Sequence, residues 1–141
     1  MGKIRRMKEE DLDRVVEIEK EVFPSPWSKG SFSSELNNPF STALVWEEER
    51  VEGYIIWRRI LGEVHILNLA VSPSKRRRGI GSALLKKCLD EDAEYFVLEV
   101  RKSNAPAIEL YKKFGFRIVA EIRNYYSFPR GDGLIMFRRK K

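Results

Sequence analysis

The stretch "EVHILNLAVSPSKRRRGIGSALLKKCL" constrains the fold more than any other part of the chain. Its first nine residues are apolar and β-branched in the manner of a buried-type strand, and after Gly79 the apolar residues Ile80, Leu84, Leu85 and Leu89 return at helical spacing. Only the turn "SPSKRRRGIG" separates them, so strand, turn and helix form one mixed α/β unit. Gly79 and Gly81 remove side chains where the backbone must approach a ligand, and the helix start offers unpaired N–H groups and a partial positive charge. Arg76, Arg77 and Arg78 add charge-assisted hydrogen bonds, at least one of them pointing to solvent. Such a turn suits a phosphate group; the plainer alternative is a basic surface turn. A dinucleotide fingerprint would need a third glycine where Leu84 stands, and a Walker loop would need Lys before Ser or Thr, where Gly81 is followed by Ser82 and Ala83.

The remaining elements follow from periodicity and capping. "EEDLDRVVEIEKEVF" places Leu12, Val15, Val16, Glu19 and Val22 on one face of a helix over residues 10–22, with acidic residues in its first turn. "FPSPWS" ends that helix at Pro24 and Pro26, and Ser28 caps a short second one. "STALVWEE", "VEGYIIWRRI" and "EVHILNLAV" read as an antiparallel meander, and "GKIRRM" as a first strand. After the helix over residues 79–90 come a strand "EYFVLEV", a helix "NAPAIELYKKF" and the strands "FRIVAEI" and "GLIMFRR". Asn104 is the N-cap of that helix, Pro106 sits in its first turn, and Gly115 ends it in a left-handed conformation. The order is βααβββαβαββ: an α/β (α+β) fold with a mixed, mostly antiparallel twisted sheet flanked by helices.

Length and charge bound the function. A chain of 141 residues suits one domain over residues 1–141, without a repeat or linker to divide it. No apolar run reaches the roughly 20 residues of a membrane span, and the N-terminus lacks a signal-type apolar region, so a cytoplasmic location is expected. Cys88, the one cysteine, lies in the apolar pattern of a helix and reads as structural; one His and one Cys are too few for a metal cluster. His65 reads as a packed, hydrogen-bonded strand residue. The terminal "RRKK" reads as a solvated tail. A net charge of +6 favours a polyanionic ligand or partner, either a phosphorylated cofactor or a nucleic acid such as rRNA.

"RRRGIG" after "LNLAVSP" resembles the acetyl-CoA-binding motif of the GNAT superfamily of N-acetyltransferases, and "NAPAIELYKKFGF" resembles its second cofactor motif. The likeness covers nearly the whole chain. "FPSPWS", "LEVRKSNAPAIELYKKFGF" and "RNYY" are similar to the branches that acetylate the N-terminal alanine of a ribosomal protein or, in archaea, protein N-termini. The resemblance implies acetyl-CoA wedged between "LNLAV" and "FVLEV", its pantetheine arm on backbone groups of Leu69, Ala70 and Val71. The diphosphate would lie on Arg76, Arg77, Arg78, Gly79, Ile80, Gly81 and Ser82, and Asn104 would also touch the cofactor.

The same resemblance implies the chemistry. An α-amine with a pKa near about 7.7–8.0 is partly protonated at neutral pH and needs a base before it attacks a thioester; Glu99 occupies that position, acting directly or through a water. Tyr111 occupies the position of the acid that protonates the departing thiolate, with its ring packed in the core. A backbone N–H near residues 69–71 would stabilise the oxyanion. Phe23, Pro24 and Trp27 form one wall for the acceptor, Tyr125 and Tyr126 the opposite one. Residue pattern alone leaves plainer readings open: Glu99 facing solvent or pairing with Arg101 or Lys102, and the aromatics as packing under loops. The acceptor expected is a protein N-terminus. A small amine or polyamine, a protein lysine, and a non-catalytic acyl-CoA or nucleic-acid-binding module are the alternatives, and oligomeric state stays open.

Overall fold

The computed structural model describes residues 2–140. Seven strands form one sheet: β1 (Lys3–Arg6), β2 (Ser41–Glu47), β3 (Val51–Ile60), β4 (Glu63–Val71), β5 (Tyr95–Arg101), β6 (Arg117–Ser127) and β7 (Arg130–Arg139), arranged β1-β2-β3-β4-β5-β7-β6. Every neighbouring pair is antiparallel except β4 and β5, which the helix α3 (Ile80–Leu89) connects. With α1 (Leu12–Val22), α2 (Lys29–Leu36) and α4 (Ala105–Lys113), the element order is the βααβββαβαββ read from the sequence, with short 3-10 turns at Glu9–Asp11 and Pro73–Lys75 besides. The first helix starts later than its apolar pattern implied, because the Asp11 carboxylate accepts from the Lys8 N–H at 2.8 Å and from Arg5, fixing the preceding turn.

Helices cover the two faces unequally. Leu84, Leu85 and Cys88 of α3 and Tyr111 of α4 pack on Ile55, Ile66, Leu98 and Met136, while Leu12, Val15 and Ile18 of α1 and Phe32 of α2 pack on Val45, Tyr54, Ile56 and Ala70. Cys88 is fully buried, and burial pushes its thiol pKa up, as suits a structural cysteine. The second layer stops at β4, which leaves that face of β5, β7 and β6 free to line a groove.

A β-bulge in β4 decides what faces the groove. Trp57 on β3 pairs with Ile66, and Ile56 pairs with Asn68, so Leu67 is an extra residue. Before the bulge, Val64 and Ile66 face α3; after it, Asn68 and Ala70 face α1. The β4–β5 ladder runs only from Glu63↔Tyr95 to Ile66↔Leu98. Beyond those rungs both strands continue without pairing to each other, so the edge of residues 67–71 facing β5 lacks a strand partner.

Two sequence expectations change here. β6 runs to Ser127, well past "FRIVAEI", because bulges between Ile118 and Ala120 and between Ile122 and Tyr126 absorb residues that do not alternate. Residues 138–140 are not a free tail: Arg138 and Arg139 belong to β7, and the Lys140 ammonium donates to the carbonyls of Leu89 (2.6 Å), the last residue of α3, and Glu91 (2.9 Å). Lys141 lies outside the described residues. Among them, no helix is long and apolar enough to cross a membrane.

Candidate active site

Two cavities meet where β4 and β5 part. The first, about 580 Å³, lies toward α1 and the β6–β7 hairpin; the second, about 820 Å³, runs along the N-terminal end of α3 and the flank of α4. Phe23, Leu69, Arg76, Asn104 and Tyr111 line both.

The second cavity is built for an anion. Gly79 is the N-cap of α3 with φ +81°, a conformation that penalises any side chain, and a Cβ there would meet nothing within 4 Å. The backbone N–H groups of residues 76–82 donate to no protein acceptor among the described residues, so several donors stand open at the positive end of a helix. Lys75, Arg76 and Arg77 line this cavity together with Ala70, Val71, Gly81 and Ser82. Ile80 turns its side chain into the core and offers only its backbone. The Arg78 side chain is the exception among the expected contacts. It lines neither cavity and reaches Glu48 at 3.4 Å, where Lys75 (3.7 Å) and the Trp46 indole N–H (3.0 Å) also converge. That triple contact holds the Glu48 carboxyl below the usual carboxylate range, the Trp46 hydrogen bond first.

Asn104 and Tyr111 are set by the ends of α4. The Asn104 side chain accepts from the Ala107 N–H at 3.3 Å, so its oxygen is committed to the cap and its NH₂ faces the cavities. At the other end Gly115, φ +89°, donates to Lys112 and Phe116 donates back to the Tyr111 carbonyl, both at 3.0 Å, closing a Schellman motif. The Phe116 ring then packs edge-on to Tyr111 with centroids 5.5 Å apart. The Tyr111 hydroxyl has no protein hydrogen-bond partner among the described residues, and burial pushes its pKa above the usual phenol value.

Glu99 lines the first cavity as the one exposed residue of β5, between buried Leu98 and Val100. Its partner is neither Arg101 nor Lys102. Lys102 pairs with Glu121 at 2.9 Å, and Arg101 turns to the hairpin, which leaves Glu99 to His65: the imidazole Nε2 lies 3.0 Å from one carboxylate oxygen and 3.1 Å from the other. Hydrogen bonding to Glu99 raises the His65 pKa above its ordinary value, against the opposing effect of burial. The two residues are 34 apart in sequence, so no local signal joins them.

Phe23, Pro24 and Trp27 line one side of the first cavity and Tyr125 and Tyr126 the other. These aromatics pack as well as line: Trp27 lies at a tilt on Phe32 with centroids 5.1 Å apart, and Tyr125 meets Tyr126 edge-on at the same separation. Arg101 bridges the walls, donating to Ser25 Oγ (3.0 Å) and the Pro129 carbonyl (3.1 Å), with its guanidinium 4.2 Å from the centre of the Tyr126 ring. The Ser25 hydroxyl also donates to the Phe128 carbonyl.

The chain that folds into this parted strand pair, basic turn and capped helix matches the acetyltransferase (GNAT) family model over residues 12–116. The chain belongs to this family. Among relatives of this GNAT chain, a Bacillus subtilis (strain 168) protein provisionally named a ribosomal protein bS18-alanine N-acetyltransferase is 41% identical over 95% of this chain and 93% of its own. The crystal structure of the ribosomal-protein-S18-alanine N-acetyltransferase from Escherichia coli superposes with a TM-score of 0.90 at 32% identity, covering 100% of this chain and 95% of that one. Ard1 from Thermoplasma volcanium superposes at 0.87 with 30% identity over 98% and 97% of the two chains.

Proposed function

We propose that this GNAT protein transfers the acetyl group of acetyl-CoA to the N-terminal α-amine of a protein. The observation that carries the reading is the parting of β4 and β5 at Ile66 and Leu98, with Glu99 on one cavity and Tyr111 on both. The residues fit acetyl-CoA. Open N–H groups of residues 76–82 with Arg76 and Arg77 would hold the diphosphate, and the strand edge at Leu69, Ala70 and Val71 would pair with the amides of the pantetheine arm. Bound acetyl-CoA supplies a thioester carbonyl as electrophile.

The protein's own groups manage protons around it. Glu99 accepts a proton from the α-ammonium, directly or through a water. A lone carboxylate is a weak base near neutral pH; the imidazole 3.0 Å away, with its raised pKa, matches an α-amine better, so the proton taken up at Glu99 passes to His65 Nε2 when the neutral ring carries its hydrogen on Nδ1. Tyr111, kept neutral by burial and without a protein partner, holds a proton at Oη for the sulfur as negative charge builds there. Backbone N–H groups near Leu69 serve the carbonyl oxygen.

The first cavity favours a peptide over a polyamine. Arg76 and Arg101 stand beside Glu19 and Glu99 in its lining, so it is not the acidic cage a polycation needs. The names of the relatives, which specify a ribosomal-protein alanine, support a ribosomal protein as acceptor. The test is CoA thiol release from acetyl-CoA with peptides bearing a free N-terminal alanine, N-terminally blocked lysine peptides and spermidine. Release with the free N-terminus alone is expected. Silence toward every peptide, or equal rates on blocked lysine peptides, overturns the reading.

A further inference from the structure

Glu19 is the one charged side chain among the buried residues of α1, and only 1% of it is accessible. No cation lies within ion-pair distance among the described residues. Instead, Oε1 accepts from the Tyr54 hydroxyl on β3 (2.5 Å) and from the Asn68 side-chain amide on β4 (2.9 Å), and Oε2 accepts from the backbone N–H of Trp27 (3.0 Å). A buried carboxylate without a cation is costly, and a leucine would pack at this position of an apolar stripe at no such cost. What the carboxylate supplies is a join between two pieces of backbone that no ladder connects. One oxygen grips the sheet just after the Leu67 bulge, and the other grips the α1–α2 loop. Glu19, Asn68 and Trp27 all line the first cavity.

We infer that Glu19 is a positioning residue that registers the acceptor-side wall at Trp27 against the strand edge at Asn68 and Leu69, and so sets the fit of the acceptor. This rests on the acyl-transfer reading above. A primary amide has one acceptor oxygen where the carboxylate has two, so Glu19→Gln satisfies the sheet donors or the loop donor but not both. Glu19→Gln is therefore expected to raise KM for the acceptor peptide about tenfold while KM for acetyl-CoA stays within about twofold, since the anion turn is untouched. Tyr54→Phe is the control: it removes one donor from the same carboxylate and leaves the Trp27 bond, so it lowers Tm without moving peptide KM. Unchanged peptide KM in Glu19→Gln, or the two KM values rising together, overturns the inference. Should that variant not fold, amide exchange in the wild-type chain decides: Trp27 slower than Ser25 supports the tie, and equal rates refute it. Wild-type inactivity on all peptides refutes the acyl-transfer reading instead.

Discussion

His65 Nε2 lies 3.0 Å and 3.1 Å from the two carboxylate oxygens of Glu99, beside the point where β4 and β5 separate. Glu99 raises the His65 pKa above 6.5, chiefly through this hydrogen bond. A raised folded-state value means the pair's stabilisation is complete below about pH 6.5 and is lost as pH climbs through the folded pKa. His65 is the only histidine, so its ring proton gives one resolvable titration curve. The midpoint is expected above 6.5 in the wild type and lower, toward 6.5, in Glu99→Gln. The kcat/KM profile should show a limb rising with pH through the wild-type midpoint as the imidazole becomes free to accept a proton. Identical midpoints in both proteins would break the pairing.

Tyr111→Phe removes a hydroxyl that no protein group among the described residues binds, from a ring fixed by Phe116 and the Gly115 turn. Tm and KM for acetyl-CoA should therefore change little, while kcat falls by about 10²–10⁴-fold, the usual effect of losing a general acid. Wild-type turnover in the variant would remove Tyr111 from the mechanism.

Much of this arrangement is legible in sequence because it is local. The strand, the glycine-bared turn and α3 are contiguous; Asn104, Tyr111 and Gly115 are spaced along one helix; and the order of all eleven helices and strands follows from periodicity and caps. What is not legible is long-range. The bulge at Leu67 falls in an apolar run where a one-residue insertion leaves no mark, yet it turns Asn68 toward α1. His65 looks like an ordinary strand residue until β5 lies beside it. Arg78 looks like its two neighbours, but Glu48, on a distant turn, draws it out of the cavity. Glu19 left one visible sign, an acid within an apolar stripe, without a sign of what it would bind.

The two glycines of the anion turn should separate backbone strain from ligand contact. Gly79→Val forces a β-branched residue to φ +81°, at a cost of about 1–3 kcal/mol, and should weaken acetyl-CoA binding through the displaced turn. Gly81→Ala is different. Its Cβ would touch Leu110 at 3.4 Å and Val71 at 3.6 Å, ordinary contact, and alanine favours the helix by about 0.5–1 kcal/mol. Tm should hold or rise while KM for acetyl-CoA increases, as read by melting and steady-state kinetics. A Gly81→Ala enzyme with unchanged KM would show that no ligand approaches that backbone.

Arg101 joins the two acceptor walls through Ser25, the Pro129 carbonyl and the Tyr126 ring. Its contacts are solvent-exposed, so Arg101→Ala should cost the fold little, water replacing the lost hydrogen bonds. The hairpin itself, however, loses the guanidinium that packs Tyr126 against the groove. With water replacing the hydrogen bonds, the exposed cation–π contact of about 0.5–1 kcal/mol is the loss that remains, corresponding to roughly two- to fivefold in the population of the hairpin packed against the groove. On the proposed reading the wall meets the acceptor and not the anion turn, so kcat/KM for a free-N-terminal peptide should fall by about that factor while KM for acetyl-CoA is unchanged. A loosened groove also admits a chain running through it. The ratio of kcat/KM on the free N-terminus to that on an N-terminally blocked lysine peptide should therefore narrow in Arg101→Ala. The same ratio in both proteins would show that the bridge between Ser25 and Pro129 has no part in choosing the amine.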